Sequence, residues 1–323
     1  MRKEPDLVKA TKPFAREIRI LSWYHLWTTL AALTGLLAAT FLPIHWLFRL
    51  PFSILAGFVI VRLFIIYHDY QHGTILRGSR LADAIMAMFG LLTLNPPSIW
   101  NRTHNYHHRN NAQVPGTDIG TFPVMTTQAY AQASWLTRFQ YQVARHPLTI
   151  LLGYFTVFFY SLCVKSFLAR PREHWDSGVA FILQVAIIVS LALWSPSVLL
   201  LTFLVPWMTG GALGAYLFYA QHNFPEVQFQ SSDDWDYVFA ALKSSSYMRM
   251  NPVMHWFTGN IGYHHVHHLN ARIPFYRLPE AMAKLERLQS PGTTSLRPRD
   301  IYRCLRLKLW DPVRKRMVSF RGT

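Results

Sequence analysis

Four apolar runs of close to bilayer length, at about 21–42, 46–67, 178–194 and 197–219, constrain this chain more than any other feature. A hydrocarbon core takes roughly 20 predominantly apolar residues as a helix. In lipid a helix satisfies its own backbone groups, which an open strand does not. Pro43 ends the first run, and the uncharged turn Ser195-Pro196-Ser197 joins the last two, so the four read as two hairpins. Trp23, Tyr24 and Trp27 open the first run as interfacial anchors, and Arg49 and Arg62 sit near the ends of the second, where their heads can snorkel. The expected fold is an all-α integral membrane protein: four transmembrane helices in two hairpins, a histidine-rich cap on the cytosolic face, and in-plane interfacial helices.

Composition agrees. Of 323 residues, 51% are hydrophobic and only 15% charged, yet the formal charge is +16. Such basicity suits nucleic acid, but beside long apolar runs a positive-inside bias is the better account, and no nucleic-acid partner is expected. The region 1–20 carries Arg2, Lys3, Lys9, Lys12, Arg16 and Arg19 against Glu4, Asp6 and Glu17. It reads as a cytosolic lead-in lying against anionic headgroups, without a signal-peptide pattern. Residues 21–285 form the membrane domain and 286–323 a basic cytosolic tail ending in Arg314-Lys315-Arg316, Arg321 and Thr323. Cys163 and Cys304 show no paired spacing and read as plain thiols.

Histidines supply the chemistry. His68 and His72 lie at i and i+4; His104, His107 and His108 keep the spacing H-x-x-H-H, and His264, His267 and His268 repeat it. On a helix, positions i, i+3 and i+4 share a face, so each triplet is expected to converge on one point. His265 lies about 100° round the axis and drops out. Each box follows an apolar stretch: the first continues the second run, and the second begins after Asn95-Pro96-Pro97, which breaks the apolar segment 81–100. That segment reads as in-plane or partly inserted, and 109–145 as polar loop with Gly116 and Gly120. His222, just after the fourth spanning run, stands where His68 stands after the second, and is expected to join the set.

If boxes two and three share a site, an even number of crossings separates them. One of the three intervening runs therefore does not span. Run 148–168 has Arg138 and Arg145 before it and Lys165, Arg170 and Arg172 at or after its end, and is assigned to the interface plane.

Eight or nine imidazoles are too many for one ion. Structural zinc favours four ligands with Cys among them. Two ions with open positions suit iron and oxygen activation better, although imidazole also accepts copper, nickel or zinc. At the mouth of apolar helices, the available substrate is an acyl chain.

Taken in order, His68-x-x-x-His72, His104-x-x-His107-His108 and His264-x-x-His267-His268 between two hairpins resemble the membrane fatty acid desaturase superfamily. The H-D-x-x-H form of box one, the Gln221-His222 pair, and the run Trp256 to Leu269 followed by Arg272-Ile273-Pro274 are similar to its delta-12 (omega-6) acyl-lipid branch. The likeness covers roughly 20–285. It implies a non-haem di-iron enzyme (two Fe2+ ions) that removes two hydrogens from a fatty acyl lipid. The reaction uses O2 and two electrons from an external donor of ferredoxin or cytochrome b5 type. The implied metal ligands are His68, His72, His104, His107, His108, His222, His264, His267 and His268, with no catalytic residue beyond them. Asp69 and Arg102 would orient imidazoles or pair with each other, and Asn260 would donate a hydrogen bond or cap the third box. His25, His45, His146, His174 and His255 match no box. Two alternatives accompany this reading: a related lipid or carotenoid hydroxylase or ketolase, and a non-enzymatic membrane metal-binding protein.

Overall fold

At the centre of the computed structural model is the helix that carries the first histidine box. The structure describes residues 5–115 and 121–320. Arg2, Lys3 and Glu4, Gly116 and Gly120, and Arg321 and Thr323 lie outside the described residues. In chain order the principal helices are α1 Arg19–Ala39, α2 Trp46–Gln71, α3 Arg80–Leu92, α4 Pro97–Asn110, α5 Thr127–Gln132 and α6 Trp135–Ala144. They continue with α7 Tyr154–Ala169, α8 Trp175–Trp194, α9 Pro196–Gln221, α10 Tyr237–Lys243, α11 Pro252–Phe257, α12 His264–Leu269 and α13 Pro298–Arg306.

Helix α2 starts at His45, whose ring accepts from Leu47 N, and ends before Gly73, whose φ of +64° reverses the chain at little cost. Of its most apolar stretch, 61% is buried, against 33% for α9 and 17% for α8. The central helix is therefore α2. Helix α8 turns Ile182, Val189 and Leu193 outward and leaves an apolar face uncovered. Where α2 crosses α9, a Cβ on Gly57 would come within 2.6 Å of Thr209 and 2.7 Å of the Pro206 carbonyl. The missing side chain lets the two backbones meet, as small residues do between membrane helices.

Helices α2, α8 and α9 are long and apolar enough to span. Helix α1 has 21 residues but interrupts its apolar run with His25, Thr28, Thr29 and Thr34, and does not reach that apolarity. Run 148–168 breaks into Pro147–Leu151 and α7, which at 16 residues is short for a crossing. Asn95-Pro96-Pro97 separates α3 from α4, with Pro97 at the first helical position, where its missing N–H costs nothing.

Three features differ from the sequence reading. The chain is mostly rather than wholly helical. Strands β1 Met125–Thr126, β2 Tyr247–Arg249, β3 Thr293–Ser295, β4 Leu309–Asp311 and β5 Arg316–Val318 form two small sheets. Strand β1 pairs parallel to β4, β4 antiparallel to β5, and β2 parallel to β3. The stretch 109–145 contains α5 and α6, each capped by a hydroxyl: Thr126 accepts from Ala129 N, and Ser134 from Thr137 N. The C-terminal segment packs on the core. Buried Arg145 donates to the Leu307 carbonyl and to Asn223 Oδ1, Asn223 Nδ2 donates to the Cys304 carbonyl at 2.7 Å, and Lys308 Nζ donates to the Arg145 carbonyl. Both cysteines are buried free thiols.

Candidate metal centre

Helix α2 runs beyond its apolar stretch and presents His68, with His72 at its C-cap. Helix α4 presents His104, His107 and His108, six-residue α12 presents His264, His267 and His268, and His222 caps the end of α9. These four helix ends meet, and the nine imidazoles sort into two sets. His68, His72, His104, His108 and His267 form one; His107, His222, His264 and His268 form the other. Within each set the ligand nitrogens lie within 4.8 Å of one another.

The H-x-x-H-H spacing therefore bridges two sets instead of converging on one point. On a 3.6-residue helix, i and i+4 are about 40° apart, whereas i+3 lies about 100° from i+4. The pairs His104/His108 and His264/His268 accordingly stay together, while His107 and His267 cross to the opposite set. His265 joins neither; its Nε2 donates to the Leu288 carbonyl at 3.0 Å.

The donor set fits metal ions. Nε2 of His222 lies 3.1 Å from that of His107 and 2.9 Å from that of His264, and His264 lies 3.2 Å from His268. In the five-membered set, His108 Nε2 lies 3.0 Å from His104 and 3.1 Å from His267. Two nitrogens about 2.1 Å from one ion, the zinc–imidazole value, and about 90° apart are separated by about 3.0 Å. The carbonyl of Ser244, 3.0 Å from His222 Nδ1, can only accept, so that nitrogen carries the proton and the Nε2 lone pair faces the set. Lone pairs converging at this distance call for a cation between them. His72 Nε2 is buried and has no hydrogen-bond partner among the described residues, as a nitrogen reserved for an ion would.

Burial favours the neutral imidazoles that metals bind. It brings His72 and His222 down to about 4, the Ser244 carbonyl partly opposing it for His222. Burial, reinforced by neighbouring imidazoles, also holds His104, His107, His108, His264, His267 and His268 well below their ordinary value.

Of the supporting residues, Asp69 lies with Oδ1 3.0 Å from His68 Nδ1 while Oδ2 accepts from Phe275 N at 2.6 Å. Asn260, at φ +55°, donates to the Phe275 carbonyl at 3.2 Å and does not cap α12, whose N-cap is Tyr263. Arg102 pairs neither with Asp69 nor with a clustered imidazole; its guanidinium meets His174 Nε2 at 3.3 Å. His174 Nδ1 is 2.9 Å from Ser98 Oγ, which donates to Asp176, and Asp176 also accepts from Ser98 N. This link anchors the first turn of α4 to α8. His25 meets Arg62, and His45 and His146 cap helices. His255 stays outside both sets.

Trp100 escaped the sequence reading. Its ring centroid lies 4.0 Å from that of His104, 5.1 Å from His68 and 5.5 Å from His72, walling the five-imidazole set. Its position four residues before His104, on the same helical face, was the available signal. Tyr237, donating to the His268 carbonyl at 2.7 Å, had none.

Comparison with known proteins agrees with this geometry. The family model described as fatty acid desaturase matches residues 44–298. A fatty acid desaturase of Bacillus subtilis (strain 168) is 31% identical, the match covering 99% of this chain and 92% of the relative. An sn-1 acyl-lipid omega-3 desaturase (ferredoxin) of Nostoc sp. (strain 36) is 24% identical over 86% of this chain and 75% of that one. An sn-1 oleoyl-lipid 12-desaturase of Picosynechococcus sp. is 22% identical over 82% and 76%. Two imidazole sets at the ends of apolar helices, with a family match over most of the length, make this chain a member of the fatty acid desaturase family, an oxidoreductase of lipid metabolism.

Proposed function

We propose that the protein is a membrane-bound di-iron desaturase that inserts a cis double bond at the delta-12 (omega-6) position of a lipid-linked acyl chain. The balance is –CH2–CH2– plus O2, two electrons and two protons, giving –CH=CH– and two waters. The observation that carries this reading is the sorting of nine buried or half-buried imidazoles into sets of five and four. Each set is large enough to hold one ion, and the nitrogen spacings suit shared coordination. His68, His72, His104, His108 and His267 would hold one iron, and His107, His222, His264 and His268 the other. Bound iron would supply, with O2, the oxidant that unactivated methylene hydrogens require.

The chain's own residues keep that centre usable. Asp69 Oδ1, when it accepts, would fix the proton of His68 on Nδ1, as the Ser244 carbonyl does for His222, so that both rings aim Nε2 inward. Asn260 donates to the Phe275 carbonyl, and the Phe275 N–H donates to Asp69 Oδ2 and so holds the Asp69 carboxyl group in place. Arg102 acts one step further out, through His174 on the first turn of α4. We assign four crossings to α1, α2, α8 and α9, with α7 in the interface and both imidazole sets on the cytosolic face. Electrons come from a carrier of ferredoxin or cytochrome b5 type; two cyanobacterial relatives carry ferredoxin in their names.

The test is expression in a host with a defined saturated and monounsaturated lipid pool, followed by location of new double bonds in each lipid class. New bonds at delta-12 support the proposal. Bonds at omega-3 only would shift the position assigned, and a gain of oxygen in place of a loss of two hydrogens would make the enzyme a hydroxylase.

A further inference from the structure

Two cavities adjoin the imidazole sets, and their linings differ in kind. The one beside the four-imidazole set, about 250 Å³, is lined by His107 and His222 with the aromatic walls Phe122, Phe218 and Phe229. The one beside the five-imidazole set, about 440 Å³, is lined by His72, Gln71, Thr74, Arg77 and Arg272, with Ala15 as its only apolar side chain. Gly73 borders it: its φ of +64° turns the chain out of α2, with the Arg77 stem in van der Waals range of where a Cβ would stand.

Both arginines of this second cavity are exposed, and neither guanidinium meets a carboxylate among the described residues. The nearby acids are engaged. Glu17 accepts from Leu76 N at 2.7 Å and from Arg19 at 3.3 Å, and Glu280 is held by Arg277 and Lys284. Arg19 donates to the Arg77 carbonyl, which adds a third guanidinium close to the rim. The result is an open, positively charged recess that ends on a histidine of the five-imidazole set. It has no apolar wall for an acyl chain, so a lipid is poorly served by it. A protein carrying surface carboxylates would find charge complementarity outside and a metal-ligating ring at the bottom.

We propose that this recess docks an acidic one-electron carrier protein, and that His72 is where electrons enter the metal centre. The inference rests on the di-iron reading and deepens it. With iron bound by the His72 set, each encounter would hand over one electron from the reduced carrier beside His72, and the oxidised carrier would leave. Two encounters supply the two electrons consumed per double bond.

The experiment measures the affinity of an acidic [2Fe–2S] ferredoxin for the solubilised full-length protein, with and without iron, at low and high salt. Arg77→Glu/Arg272→Glu is expected to weaken binding at least tenfold and to flatten its salt dependence. Arg314→Glu/Lys315→Glu, a control in the exposed C-terminal basic run, is expected to leave it within twofold. Both pairs reverse exposed charges, so circular dichroism should be unchanged. Unchanged affinity in the first variant, or loss only in the second, would overturn the proposal. So would a dependence on Arg77 and Arg272 seen with anionic vesicles and not with ferredoxin, which would make the recess a headgroup site. Double bonds formed with a chemical reductant, without ferredoxin binding, would sink this inference and leave the desaturase reading standing. No double bonds with any reductant would sink that reading instead.

Discussion

The five-imidazole and four-imidazole sets are built from the same boxes but by different logic. The larger draws both histidines of the first box, the i, i+4 pair of α4 and one crossing residue, His267. The smaller draws the i, i+4 pair of α12, one crossing residue, His107, and His222 from the end of α9. One set thus rests mainly on neighbours early in the chain, and the other on contacts closed across more than a hundred residues. Their surroundings diverge as well. Trp100 and a basic recess flank the larger set, while an aromatic-walled cavity flanks the smaller. The basic recess reaches His72 of the larger set and the aromatic-walled cavity reaches His107 and His222 of the smaller, so the proposed carrier would dock beside the first set and away from the second.

The sharpest way to break this comparison is to remove one ligand from each set. His264→Ala leaves the smaller set with three imidazoles. It should lose about one iron per chain and cut double-bond formation by at least about 100-fold, read by elemental analysis and lipid products. His72→Ala leaves four in the larger set, so its iron loss should be smaller. Equal losses would mean that the sets are not distinct.

Acid should act on both sets together. A buried histidine whose folded pKa is depressed stays neutral while the unfolded chain takes up its proton. Stability is therefore full above about 6.5 and declines as pH falls toward the folded value, about 4 for His72 and His222. Thermal unfolding of iron-free protein should shift downward across that window, and iron retention should fall with it. An unfolding temperature flat from pH 7 to 4.5 would contradict the burial argument.

Asp69→Asn comes next in size. It keeps the shape but loses the carboxylate behind His68, and iron affinity of the larger set should fall about 10- to 100-fold. The smallest effect on iron belongs to His265→Ala. Iron should remain at wild-type level, while stability should drop by about 3 kcal/mol, because the fully buried ring leaves a cavity and an unpaired Leu288 carbonyl.

Much of this was legible beforehand because it is local. The boxes, the break at Asn95-Pro96-Pro97 and the hairpin turn at Ser195-Pro196-Ser197 each depend on a few adjacent residues. The place of His222 followed from its position after a long apolar run. The partition of each box was harder. Same-face spacing says that i, i+3 and i+4 are near, and a second centre is needed before the angle between i+3 and i+4 becomes decisive. Partners distant in sequence left no trace. Nothing near Arg102 announces His174, and nothing in the basic C-terminal stretch shows that Leu307 and Lys308 pack on Arg145. Strands of two or three residues, such as β1 and β4, are too short for an alternating pattern to show.

The central claim is that two irons sit in two separate imidazole sets. Anomalous scattering at the iron edge from crystals of the iron-loaded protein tests it most directly. The account predicts two peaks per chain, one among His68, His72, His104, His108 and His267 and one among His107, His222, His264 and His268. A single peak, or a peak outside these residues, would contradict it.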